Sequence, residues 1–236
     1  MNRASYNAMR VFLPIGFLCI SQILFTAALP AQTRGMIAGR IDIPAYRAPV
    51  ELQLPSRYGS LPAMDRHHES AQPQKAEVTN VVIYLEGKGL EAVHRDLPPE
   101  VLDQRNATFI PHVLPIVKGT TVEIVNMDKT YHNVFSLSSA RKFDIGRRPT
   151  GEKVPVTFDK TGIVQVFCDI HSHMSAFIIV LDNPLYVQPK SDGSYVLDDV
   201  PPGTYTLHVW HEHFAASPQT VTVKSGETAT VDFRLE

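Results

Sequence analysis

The stretch "GIVQVFCDIHSHM", residues 162–174, decides how the chain is read. Its first half alternates. Val164, Val166 and Cys168 fall on one face of an extended strand, and Ile163, Gln165 and Phe167 fall on the other. A strand ending on Cys168 beside two valines turns the sulfur toward an apolar interior. A thiolate in such a place is costly unless a cation neutralises it. Within the next six residues come His171, His173 and Met174, so one strand end gathers a thiol, two imidazoles and a thioether. Soft sulfur donors with imidazole suit copper, the thiolate and thioether favouring Cu(I) and the imidazole also serving Cu(II).

Working outward, the chain keeps the same texture. Short β-branched or aromatic runs recur between turn signals: "GMIAGRIDI" (35–43), "VTNVVIYLEG" (78–87), "TFIPHVLPI" (108–116), "TTVEIVN" (120–126), "HNVFSL" (132–137), "VPVTF" (154–158), "SAFIIVL" (175–181), "GTYTLHVWH" (203–211) and "ATVDFRL" (229–235). This is the pattern of an all-β sandwich or barrel. One helical turn is expected in "LPPEVLDQ" (97–104), and residues 46–77 read as a polar surface loop. His67 and His68 in that loop are read as an exposed pair rather than metal ligands.

The first 31 residues differ from the rest. Arg3 and Arg10 form a basic start, "VFLPIGFLCI" and "ILFTAAL" an apolar core, and "AALPAQ" offers small residues for cleavage. This is the order of a secretory signal peptide at 1–31, with an uncleaved N-terminal membrane anchor as the competing reading. Export to the periplasm or beyond is expected, with no stable membrane insertion after cleavage. Removing residues 1–31 removes two of the 22 basic residues and none of the 24 acids, giving 20 minus 24, or −4. A weakly acidic chain argues against nucleic acid as a partner. Cys19 leaves with the signal, so Cys168 has no internal disulfide partner, and it is read either as a metal ligand or as a buried, inert thiol.

A trigonal copper site of two His and one Cys with a weak axial Met needs a second imidazole from elsewhere. "NMDKTYHNVFS" (126–136) supplies His132 at a turn that opens a strand. At these residues a resemblance appears: "TTVEIVNMDKTYHNVFS" (120–136) with "GIVQVFCDIHSHM" (162–174) resembles the cupredoxins, the plastocyanin- and amicyanin-like copper proteins. The likeness covers about residues 103–182. It implies a Greek-key β-sandwich and the ligand set His132, Cys168, His171 and Met174. It also implies an outer role for Asn133, whose counterpart donates its backbone N–H to the copper thiolate. The loop Cys-x2-His-x2-Met most resembles amicyanin. His173, next to Met174, competes with His171 for the ligand position and otherwise sits exposed near the metal. "LDQRNATFIPHVLPIVKG" (102–119) is further similar to plastocyanin-like proteins associated with methylamine utilisation.

The C-terminal stretch "SDGSYVLDDVPPGTYTLHVWHE" (191–212) resembles a second family, the carboxypeptidase regulatory-like, transthyretin-like β-sandwich. Its early strands have counterparts in "AGRIDI" (38–43) and "NVVIYLEG" (80–87). The expected organisation is a discontinuous, smaller sandwich of residues 35–95 with 186–236, carrying a cupredoxin domain of residues 96–185. In the alternative, residues 78–87 open the cupredoxin and the C-terminal domain stands alone. His112 reads as structural. Alternation sets His208 with Trp210, and His211 with Tyr205, Leu207 and Val209; His211 and His213 offer a further His-x-His pair.

The function expected from these residues is the carriage of single electrons by one type 1 copper, with no substrate chemistry and hence no enzyme. The pairs 171/173 and 211/213 fall short of a trinuclear cluster, and a binuclear centre needs a second cysteine. The expected partner is a redox protein, a dehydrogenase or cytochrome, met transiently through a small interface. A copper carrier without redox cycling and a metal-free structural sandwich are the rival classes.

Overall fold

The computed structural model describes residues 33–46, 74–75, 77–90, 93 and 99–236. The signal segment and the pair His67–His68 lie outside the described residues. In chain order the strands are β1 (Gly35–Asp42), β2 (Ala45–Tyr46), β3 (Gln74–Lys75), β4 (Val82–Glu86), β5 (Glu100–Arg105), β6 (Thr108–Ile110), β7 (Val113–Val117), β8 (Thr121–Asn126), β9 (His132–Ser136) and β10 (Phe143–Arg148). They continue with β11 (Lys153–Thr157), β12 (Gly162–Cys168), β13 (Ser175–Leu181), β14 (Tyr186–Val187), β15 (Ser194–Val200), β16 (Gly203–Trp210), β17 (Gln219–Val223), β18 (Thr228–Thr230) and β19 (Phe233–Arg234). Among the described residues no helix is long and apolar enough to cross a membrane.

The protein is all-β, and its long strands assemble into two sandwiches. In one, a five-stranded sheet ordered β10-β9-β12-β13-β7 faces a four-stranded sheet ordered β11-β8-β5-β6. Consecutive pairs (β5–β6, β9–β10, β12–β13) are joined by pairings between strands further apart in sequence, the antiparallel β8–β11 and β9–β12 and the parallel β5–β8 and β7–β13, an interleaved order of the Greek-key kind. In the other, β15-β1-β18 with β19 faces β14-β4-β16-β17. The strand β4 pairs with β14 and β16, so residues 78–87 belong to this second sandwich and do not open the first.

Alternation explains each core. On β12, Val164, Val166 and Cys168 are buried while Gln165 and Phe167 are half-buried. They join Leu102, Phe109, Ile124, Phe158 and Ile178 inside the first sandwich. Ile37, Ile83, Leu85, Leu197 and Leu207 fill the second. Two runs are apolar at almost every position because both of their faces are covered. Ala176, Ile178 and Val180 of β13 point into the first core, while Phe177, Ile179 and Leu181 point out of it. On β4, Ile83 and Leu85 point into the second core, while Val82 and Tyr84 point out. The outward sets meet, with Val113, Tyr186 and Trp210, in a third apolar cluster that joins the sandwiches. Buried Asn183 fastens the same junction: its Nδ2 donates to the Leu85 carbonyl and its Oδ1 accepts the Leu185 amide, both at 2.9 Å.

Three local expectations are corrected. Residues 100–104 form strand rather than a helical turn, because Leu102 and Gln104 pair in register with Ile124 and Asn126 of β8 and are fully buried. The run 78–87 is not strand throughout; Val78–Asn80 make a 3-10 turn that carries Val78 into the second core. The run 108–116 breaks at Pro111–His112, where proline cannot donate, and its halves join different sheets.

Packing in the second sandwich leaves no room at Gly39. A Cβ there would lie 1.8 Å from the Val231 carbonyl oxygen. Gly39→Ala is expected to cost about 1–3 kcal/mol or more, as overpacking does, read as a lower urea midpoint with an unchanged slope.

Candidate metal centre

The site forms where β8, β9, β12 and β13 reach one end of the first sandwich. Cys168 closes β12, 5% exposed. His132 opens β9, fully buried, beside Val134, which pairs with Cys168. His171 lies in the loop between β12 and β13. That loop is tightened by the Met174 amide donating to the His171 carbonyl at 3.0 Å and the Cys168 amide donating to the Met174 carbonyl at 3.3 Å.

Three ligand atoms converge. The Nδ1 atoms of His132 and His171 are 3.1 Å apart, and they lie 3.7 and 3.8 Å from the Cys168 sulfur. Among the described residues, these three form the group of His, Cys, Asp or Glu ligand atoms that approach one another closely enough for a metal. The triangle has the size that an ion about 2 Å from nitrogen and about 2.3 Å from sulfur spans. Met174 is buried and packs in the same apolar cluster as Cys168. His173 is exposed, its ring centroid 6.2 Å from that of His171, so the loop turns His171 inward and His173 to solvent. Asn133 is buried next to His132, and its Oδ1 has no hydrogen-bond partner.

Asp128 escaped the sequence reading. Its Oδ2 accepts from His132 Nε2 at 2.9 Å, leaving Nδ1 to face the sulfur. The carboxylate also accepts the amides of Asn106 at 2.6 Å and Ala107 at 2.8 Å. Both residues have positive φ, 53° and 51°, which aims two successive amides at one anion. Burial pushes the Asp128 carboxyl up, but those amides and His132 outweigh it and hold the group below its usual range. Fully buried Asn126 shapes the turn that bears it: Oδ1 accepts the Asp128 amide at 2.9 Å, and Nδ2 donates to the carbonyls of Thr130 and Arg148, each at 2.8 Å. The one sequence signal for this network was the Asn/Asp-rich turn "NMDK", which marks a turn without naming its bonds.

Among the described residues, His112, His208, His211 and His213 do not join the cluster. His208 Nε2 lies 3.1 Å from Glu86 Oε2, too poorly aligned for a hydrogen bond, and its ring stacks on Tyr84. Buried His211 accepts the His213 amide at 3.2 Å, and burial pushes it below the ordinary imidazole value. His112 Nε2 pairs with Glu212 Oε1 at 3.0 Å across the junction of the sandwiches. The hydrogen bond to Glu212, set against burial, leaves His112 raised; the same bond, set against burial, leaves Glu212 lowered.

A raised imidazole stabilises fully below its unfolded value, about 6.5, and that contribution is lost as pH rises through the raised value. A lowered carboxyl stabilises above its unfolded value, about 4.3, and that is lost as pH falls through the lowered value. The pair therefore contributes most between about pH 4.3 and 6.5. Raising the pH from 6 to 9 is expected to remove about 1 kcal/mol in the parent, and His112→Phe should abolish that part of the profile. Trp210, the single tryptophan, lies 5.2 Å from Phe177 at the junction and makes its fluorescence the readout.

Fold and site together define an all-β protein of two joined sandwiches, one of them bearing a cluster of a buried histidine, a buried cysteine and a half-buried histidine, with a buried Met in the same core. The carboxypeptidase regulatory-like domain family matches residues 176–236. No curated protein matches the chain. Among solved structures the chain is similar to the copper-containing nitrite reductase (NirK) from Thermus scotoductus SA-01, at 28% identity and a TM-score of 0.34. That match covers 41% of this chain and 25% of the reductase, so the chain spans about a quarter of that relative. It is also similar to a purple cupredoxin from Nitrosopumilus maritimus, at 22% identity and TM-score 0.32 over 35% of this chain and 99% of that one. An oxidised proline-to-glycine mutant of amicyanin matches at 20% identity and TM-score 0.33, over 35% of this chain and 82% of that one.

Proposed function

We propose that the chain is an exported type 1 copper protein that carries single electrons between redox partners. The observation that supports this best is the triangle of two imidazole nitrogens and one thiol sulfur, closed on a buried strand end. In this reading His132, Cys168 and His171 hold the ion and Met174 is the weak fourth donor. Copper, when bound, supplies a one-electron couple between Cu(II) and Cu(I). The protein supplies a fixed donor set. Asp128 holds His132, strand pairing holds Cys168, and two main-chain bonds hold the loop of His171 and Met174. Asn133 acts outside the ligands, through its backbone N–H to the thiolate. The domain boundaries that follow are 96–185 for the copper domain and 35–95 with 186–236 for the second sandwich.

His171 is the ligand that reaches solvent. It borders an open depression of about 560 Å³, lined with Thr130, Tyr131, Arg147 and Ile170. Tyr131 and Ile170 are exposed. We infer that a dehydrogenase or cytochrome docks there briefly and exchanges its electron through the His171 ring, the chain itself doing no substrate chemistry. The test is a visible spectrum of the copper-loaded chain. An intense band from sulfur to Cu(II), bleached by a reductant and restored by an oxidant, is the expected result. Copper uptake without that band would mark a carrier instead and sink the electron-transfer reading.

A further inference from the structure

His112 touches both sandwiches. Standing between β6 and β7, it grips the start of β13 twice: its carbonyl accepts the Phe177 amide at 2.8 Å, and its Nδ1 donates to the Ser175 carbonyl at 3.1 Å. Ser175 directly follows Met174. The second ring nitrogen donates at 3.0 Å to Glu212, which follows β16 in the other sandwich. A carbonyl and a carboxylate only accept, so the ring satisfies both as a doubly protonated imidazolium. Glu212 is what keeps it so. Its side chain is 17% exposed, and the other titratable groups facing the pair are Glu77, His211 and His213. Packing holds the ring in place as well: it meets Phe177 edge-on at 5.7 Å, and Phe177 meets Trp210 at 5.2 Å.

We propose that Glu212 is a positioning residue of the metal centre: acting through His112, it fixes the Ser175 carbonyl and thereby the way Met174 enters the site. The proposal rests on the reading of Met174 as the weak fourth donor. A long, weak thioether bond cannot set its own geometry, so the chain on either side of Met174 sets it. On the loop side the restraints are the bonds to His171 and Cys168; on the β13 side His112 adds its own, braced from the second sandwich. The second sandwich is thus part of the copper centre rather than an appendage to it.

The experiment uses the full chain with Glu212→Ala, Glu212→Gln and His112→Phe, and Glu86→Ala as a control carboxylate on the same sandwich. Copper-loaded E212A and H112F should share an altered Cu(II) EPR hyperfine coupling and ratio of visible bands. E212Q, which keeps an acceptor, should return both toward the parent, and E86A should match the parent. In the copper-free chain E212A should exchange the Phe177 amide about tenfold faster, the loss expected for a charged hydrogen bond. A parent without the sulfur-to-copper band sinks the copper reading and this proposal with it. A parent with the band, matched in EPR and band ratio by E212A and H112F, sinks this proposal alone, whatever the exchange rates.

Discussion

A Cys168→Ser chain should be colourless when mixed with Cu(II), and copper should no longer raise its melting temperature. The sulfur is the one soft donor among the three convergent atoms and the one that binds a metal as an anion, and it is buried. Without it the ion meets two imidazoles and a thioether, a set with no charge to balance a cation in an apolar interior. Ligand binding at 1,000 times Kd stabilises a fold by about 4 kcal/mol, which in a chain of this size corresponds to a melting rise of roughly 10 °C. The parent should show a rise of that order with copper and the variant almost none. The metal-free chains should melt close together, because a serine hydroxyl beside two imidazole nitrogens finds a hydrogen-bond partner. Calorimetric scans of both chains with and without copper make the comparison. A variant whose melting rises as far as the parent's would remove the thiolate from the site.

The second large effect is expected at Asp128. Asp128→Ala frees His132 Nε2 and the amides of Asn106 and Ala107 together. Removing an outer partner of a ligating imidazole typically costs 10–100-fold in metal affinity, and the copper titration should show a loss in that range. The fold should lose about 1–3 kcal/mol as well, since a carboxylate that accepts three hydrogen bonds is replaced by a methyl group. Asp128→Asn separates the two consequences. It keeps an oxygen to accept from His132 but gives up the charge, so stability should recover more than affinity. Equal affinity for copper in the parent and the alanine variant would show that His132 needs no such support.

Much of this site was legible because it is local. Cys168, His171 and Met174 sit on one strand end and one loop, so their spacing alone brought them together. The alternation of β12 told which way the sulfur points. His132 stands 36 residues from Cys168; the need for a second imidazole and the turn at 126–136 pointed to it, and a resemblance of motifs then placed it in the ligand set. The sequence put His171 in the ligand set with His173 as its competitor; that the His171 ring turns toward the sulfur while His173 is exposed is seen only in the folded loop.

What the amino-acid order determined by itself is whatever repeats every two residues or closes within a single turn: the all-β class, the inward face of an alternating strand such as β12, and the thiol–imidazole–thioether loop. The tertiary structure alone decided the partners of those groups. Asp128 meets Ala107 because β5 and β8 pair in parallel, and Glu212 meets His112 because two sandwiches share an apolar junction. Such contacts join residues 21 and 100 positions apart, and only the register of whole sheets, set by burial summed over many side chains, brings them within reach.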